Sequence, residues 1–141
     1  MYLLRFMATE RQKTIKNLDT QFSRFIRMRD SDENGMVACF TCGVVKHWKK
    51  GDAGHFQSRG KLSTRWEETN VQFQCKRCNG FRGGEQYKFA QELDAKYGDG
   101  TADALVFESN QMRKYGHYEL ALMLRGYSRK SKELELQKGL G

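Results

Sequence analysis

Two Cys-x-x-Cys pairs, Cys39–Cys42 and Cys75–Cys78, place the strongest constraint on how this chain folds. Two thiols three positions apart across a tight turn aim both sulfurs at one point, so each pair supplies one edge of a tetrahedron. Two edges make a closed four-thiolate zinc site. Residues 43–74, 32 in all, must leave one knuckle and return to the other. In so polar a middle segment the zinc substitutes for missing core. A closed shell of thiolates leaves no open coordination position, so this zinc is structural. Disulfides belong to oxidising compartments, and a rubredoxin-like iron knuckle carries glycine where this chain has Asn79.

The chain has 141 residues, enough for one domain with a modest core. It carries 25 Lys+Arg against 17 Asp+Glu, a net charge of +8, which favours a polyanionic partner. The opening Met1–Met7 stretch is apolar but holds Arg5 and is too short to span a bilayer or serve as a signal peptide. No membrane association is expected. The expected compartment is the reducing cytoplasm, where paired cysteines bind metal.

The chain holds no proline. Ile15, Leu18, Phe22, Phe25 and Ile26 recur at helical spacing and predict a basic amphipathic helix over residues 9–29, closed by the Asp30–Gly35 turn residues. Residues 36–97 form a core of short strands near Val44-Val45, Ala53–Gln57 and Asn70–Cys75, with Ser58–Thr69 as a basic loop. A helix is expected to start near Cys78 and run to Tyr97, weakened by Gly83-Gly84. Residues 101–138 then read as a short helix from Thr101 to Asn110 and a last one from Tyr115, charged beyond Lys130 and frayed at Gly139–Gly141. The fold class is α+β, mainly helical.

His55, twenty residues before Cys75, follows Asp52-Ala53-Gly54 in one of the expected strands. A neutral imidazole accepts a proton from water near neutral pH. Asp52 offers oxygen to a hard divalent cation, and Asn79, fixed beside Cys78, offers a side-chain carbonyl to the same ion. On a strand Asp52 and His55 point to opposite faces. Asn79 also suits a helix N-cap. Arg59, Lys61 and Arg65 beyond His55, with Arg77 and Arg82 around the second knuckle, read as phosphate contacts with Arg82 nearest the cation. Each alone also suits an ordinary solvated charge. Trp66 reads as core, Trp48 as core or a base-stacking ring, His47 as an exposed turn residue and His117 as surface or interhelix packing. Tyr87, Phe89, Tyr97, Tyr118 and Tyr127 read as core or a dimer interface.

The pattern Cys39-x-x-Cys42, Asp52-Ala53-Gly54-His55-Phe56, Asn70 and Gln74-Cys75-x-x-Cys78-Asn79 resembles the phage NinG (Rap) recombination proteins and, more widely, the HNH or His-Me finger nucleases. The resemblance covers Phe25 to Gly84 well and the last third loosely. It implies a zinc-stabilised ββα-metal core with flanking N- and C-terminal helices. It gives His55 as general base, Asn70 as the residue that orients it, and Asp52 with Asn79 as ligands of a catalytic Mg2+ or Mn2+. It further implies a phage-encoded DNA endonuclease that acts on Holliday junctions or D-loops and leaves a 5′-phosphate and a 3′-hydroxyl. A two-fold substrate suits a homodimer built through the N-terminal or last helix. Many HNH enzymes place aspartate just before the histidine, where this chain has Gly54. The alternative is a non-catalytic zinc module that binds nucleic acid by charge.

Overall fold

The computed structural model describes residues 8–140, so Met1–Met7 and Gly141, with the expectations placed on them, lie outside the described residues. Helix α1 spans Glu10–Arg29 and starts at a capping box: the Thr9 hydroxyl accepts from the Gln12 amide while the Gln12 side chain accepts from the Thr9 amide. Its buried stripe of Leu18, Phe22 and Ile26 matches the helical period. The chain then reverses where Asp32 Oδ1 accepts from the amides of Asn34 and Met36, and Gly35 takes φ +78°.

Four strands form two separate antiparallel ribbons. β1 (Met36–Ala38) pairs with β2 (Val45–His47), and β3 (Gly51–His55) pairs with β4 (Val71–Cys75). β4 is buried on both faces, although its sequence alternates apolar and polar residues. The amides on its polar face find internal partners instead of water. Arg29 donates to Gln72 Oε1, Gln72 Nε2 donates to Thr69 O and the Tyr97 hydroxyl, and Gln74 Nε2 donates to Thr41 Oγ1 and Gly84 O. Residues 58–69, expected as loop, contain the single-turn helix α2 (Leu62–Arg65) and a tight turn at Glu68–Asn70.

The helix expected from Cys78 begins only at Gln86 as α3 (Gln86–Tyr97). Before it, Arg77–Phe81 winds into one wide π-type turn. Gly83 and Gly84, at φ +59° and +88°, then break the path, so the glycine pair ends one turn rather than weakening a helix. α4 (Thr101–Ser109) packs on α3, with Phe89, Leu93, Ala102 and Leu105 around Phe56.

The last helix, α5 (His117–Lys138), runs parallel to α1. His117 meets Thr14, the Ser131 hydroxyl donates to Gln21 O, Arg24 pairs with Glu135, and Lys138 Nζ donates to the carbonyls of Met28, Arg29 and Ser31. Contact positions thus rise together along both helices. These anchors hold the segment beyond Lys130 in helix, and Lys138 caps the carbonyl end of α1 with positive charge. Leu18, Phe22 and Ile26 of α1, Leu120 of α5, Trp66 and Val71 form one core cluster. Met28, Val37, Trp48 and Phe73 form another beneath the ribbons. Phe89 is core as expected, Tyr127 is half-buried against Phe22, and Tyr87 and Tyr118 are exposed. The fold is mainly helical α+β with two small ribbons. No helix among the described residues is long and apolar enough to cross a membrane.

Candidate functional site

Cys39 follows β1, Cys42 sits in the turn before β2, Cys75 closes β4 and Cys78 lies in the wide turn after it. The four sulfurs lie within 4.8 Å of one another, and Cys42 Sγ to Cys75 Sγ measures 3.7 Å. A tetrahedron with zinc–sulfur bonds of about 2.3 Å has edges of about 3.8 Å, so the thiol cage fits zinc. Backbone geometry prepares it: Cys39 N donates to Val44 O, Gly43 N donates to Cys39 O, and Gly43 turns at φ +80°. Burial opposes ionisation of the Cys39 thiol. Hydrogen bonds from the Cys75 backbone, the Thr41 hydroxyl and the turn amides outweigh it and bring the thiol down to about 6, toward the thiolate that a metal needs. The Cys78 thiol is instead pushed up to about 12, chiefly by burial. A cation at the centre removes that conflict by favouring the charged form of all four. The cysteines carry no disulfide.

An open cleft of about 720 Å³ runs along β3, with α1 as its far wall and the second knuckle at one end. Asp52, His55 and Asn79 all line it. Asp52 and His55 leave opposite faces of β3, yet among the described residues β3 pairs only with β4, so the cleft can follow its other edge and receive both. Asp52 accepts from Asn79 Nδ2 at 3.1 Å and from Lys76 Nζ at 2.8 Å. Because the amide nitrogen of Asn79 faces the carboxylate, its carbonyl oxygen remains as a donor to a cation. Asn79 serves this pair and does not cap α3, which begins seven residues later. One carboxylate and one carbonyl are the hard, sparse ligand set that Mg2+ uses while keeping waters and substrate oxygens. To bind at Asp52, such an ion would have to displace the exposed Lys76 ammonium from Oδ1 or the Asn79 amide from Oδ2.

His55 is half-buried and its Nε2 lies 3.0 Å from Arg65 O. A carbonyl only accepts, so this contact favours the tautomer with its proton on Nε2, while the Ala53 backbone also hydrogen-bonds the ring. Burial holds the imidazole below its usual value, against the Arg65 carbonyl, which favours the charged form. The Arg65 carbonyl is itself fixed from two sides. The Arg65 guanidinium and Trp66 Nε1 both donate to the carboxylate of Asp19 on α1. Asn70, fully buried, donates to Gln57 O and Thr64 O and accepts from Gln57 N. Asn70 therefore does not touch the imidazole; it braces the loop whose carbonyl does.

The surroundings of Gly54 explain the glycine. A Cβ there would fall 1.9 Å from Gln74 Oε1, a buried oxygen with no hydrogen-bond donor. The same Gln74 links both knuckles through Thr41 and Gly84.

The basic residues named from sequence disperse. Arg59 lines the cleft, 3.9 Å from Asp19. Arg65 is committed to Asp19, and Lys61 reaches Asn110. Arg77 is exposed on the second knuckle, and Arg82, expected nearest the cation, pairs with Glu85 away from the cleft lining. Sequence reasoning missed Arg27, Lys49 and Lys76, which do line it. The signal for Arg27 was its place on the outer face of α1 once that helix is known to pack along β3. Arg24, Arg27 and Lys49 gather over the ring of Trp48, 5.1–5.5 Å from its centre. Burial first, then the neighbouring Arg24, lowers the Arg27 value, against Asp52, which raises it. Trp48 is buried and serves these cations, so it has no face left for a base. His47 accepts from the Lys49 amide, and His117 joins α5 to α1.

A family model described as Bacteriophage Lambda NinG protein matches residues 5–137. Among curated proteins, Protein ninG of Escherichia phage lambda is 29% identical over 100 residues, covering 70% of this chain and 47% of the relative. Protein ninG of Enterobacteria phage H19B is 30% identical over 122 residues, covering 85% of this chain and 57% of the relative. That of Salmonella phage P22 is 28% identical over the same length. The chain spans about half the length of the curated relatives it matches. No solved structure matches it.

Proposed function

The chain belongs to the NinG family of phage proteins, and from that premise we propose that it is a metal-dependent endonuclease of branched recombination DNA, built on a zinc-stabilised ββα-metal core of the HNH type. The observation that carries this reading is convergence. His55, its Nε2 against the Arg65 carbonyl, lines the same basic cleft as the Asp52–Asn79 pair. The antiparallel β3–β4 ribbon, followed across the second knuckle by α3, supports the ββα part.

Nδ1 of His55 accepts a proton from a water poised in line with a phosphodiester phosphorus. Arg27, Lys49, Arg59 and Lys76 hold the flanking phosphates, and the Asp19–Arg65 pair and Asn70 keep the imidazole in place. A Mg2+ or Mn2+ held by Asp52 and Asn79 would offset the charge that grows on the phosphoryl oxygens. Cleavage of fixed four-way junctions and linear duplex, with Mg2+ and with Mn2+, tests the reading. His55→Ala should lose about 10²–10⁴-fold in rate while its zinc content and DNA affinity stay unchanged. A variant that cuts at the wild-type rate removes the assignment. Because burial lowers the His55 value, the rate should stay flat as pH falls to neutrality and decline only below the ordinary histidine value of about 6.5. A decline centred above that value contradicts the assigned base.

One observation favours a second reading, the non-catalytic zinc module: the Lys76 ammonium already neutralises Asp52. Such a module binds branched DNA equally with and without Mg2+ and cuts nothing. The two helices offered for a dimer bury their apolar faces on each other, which leaves Tyr118, Leu122 and Leu136 of α5 exposed for a two-fold contact. Sedimentation showing only monomer at micromolar concentration, with and without junction DNA, would remove the homodimer.

A further inference from the structure

The wide turn after the second cysteine pair carries Asn79 into the cleft and, two residues later, holds the ring of Phe81 95% exposed. An aromatic side chain left in water forgoes the burial that favours folding. Yet the turn that carries this ring is closed by hydrogen bonds. Arg82 N donates to Arg77 O, Gly83 N to Gly80 O and Gly84 N to Cys78 O, while Gln74 Nε2 holds the Gly84 carbonyl from beneath. Cys78, one of the thiol cage, roots the turn. Space around it is open, since a Cβ at Gly80 or Gly83 would meet nothing within 4 Å. Lys76 and Arg77 on the same turn are exposed and positive.

We propose that Phe81 stacks on an unpaired nucleobase where a DNA strand leaves its duplex, so that this turn selects branched or frayed DNA over continuous duplex. This rests on the reading that the cleft holds a DNA backbone. The occupant follows from size and charge. One phenyl ring is far smaller than the ~800 Å² per partner of a stable protein interface. A base presents a flat apolar face of matching size, attached to the phosphates that Lys76 and Arg77 attract. Continuous duplex offers no free face.

The test measures equilibrium binding in magnesium-free buffer to a forked duplex and a continuous duplex, each with 2-aminopurine at the fork position or its equivalent. Phe81→Ala should weaken fork binding about 5–150-fold, leave duplex binding unchanged and abolish the quenching of 2-aminopurine at the fork. Phe81→Trp should restore both. If Phe81→Ala matches the wild type on the fork, or weakens fork and duplex equally, the proposal is overturned. A wild-type chain that stacks through Phe81 but cuts no DNA overturns the endonuclease reading alone. A chain that cuts junctions equally well with Phe81→Ala overturns stacking alone. A chain that binds neither DNA overturns both.

Discussion

Along α1 and α5, order comes from apolar burial: Leu18, Phe22, Ile26 and Leu120 are at most 1% exposed, and a capping box starts the pair. Around the cysteines the strands are three to five residues long, β2 is mostly exposed, and the buried side chains include two glutamines. The first region is held by what it removes from water. The second is held by convergent sulfurs and amide bonds, which fix position without a thick core. The cleft runs between them, so its geometry depends on both. His55 takes its orientation from the helical side through Asp19, and Asp52 is tied to the knuckle side through Asn79.

Removing the metal should produce the largest effect. Zinc bound by four cysteines contributes apparent free energies of about 10–16 kcal/mol in small domains. Stripping it, or Cys78→Ser, should abolish the DNA binding proposed for the cleft and expose Trp48, seen as a red shift in emission. Far-UV circular dichroism should retain most of the α1–α5 signal. Loss of all helix together would show one cooperative unit and end the contrast drawn above. Phe22→Ala probes the other region and should cost about 3–5 kcal/mol in chemical unfolding, with zinc stoichiometry intact in the folded protein. Gly54→Ala strikes the seam, because the new methyl displaces Gln74 from both knuckles. It should cost about 1–3 kcal/mol and weaken zinc retention in a chelator competition; unchanged retention would show that Gln74 does not tie the knuckles. Thr9→Ala should cost about 0.5–2 kcal/mol, lower the melting temperature slightly and leave zinc affinity untouched.

The helical stripe of α1 and the spacing of the cysteines were legible because each is a local rule: a 3.6-residue period, and two thiols in one turn. The same locality misled elsewhere. Arg65 and Arg82 stand near His55 and Asn79 in sequence, but Asp19 and Glu85 claim them, while Arg27 reaches the cleft from a helix distant in the chain. Nor does the alternation of β4 reveal that Gln72 and Gln74 are buried, since their partners come from Arg29, Tyr97, Thr41 and Gly84. Asn70 was singled out from sequence, but its contact with the loop rather than the ring depends on where α2 packs.

The glutamine lying across Gly54 also limits what can stand at that position. A lineage that placed a carboxylate directly before its histidine would need a smaller residue at 74 first, and that change alone unties Thr41 from Gly84. Neither single change is comfortable, so a side chain at position 54 calls for a paired replacement.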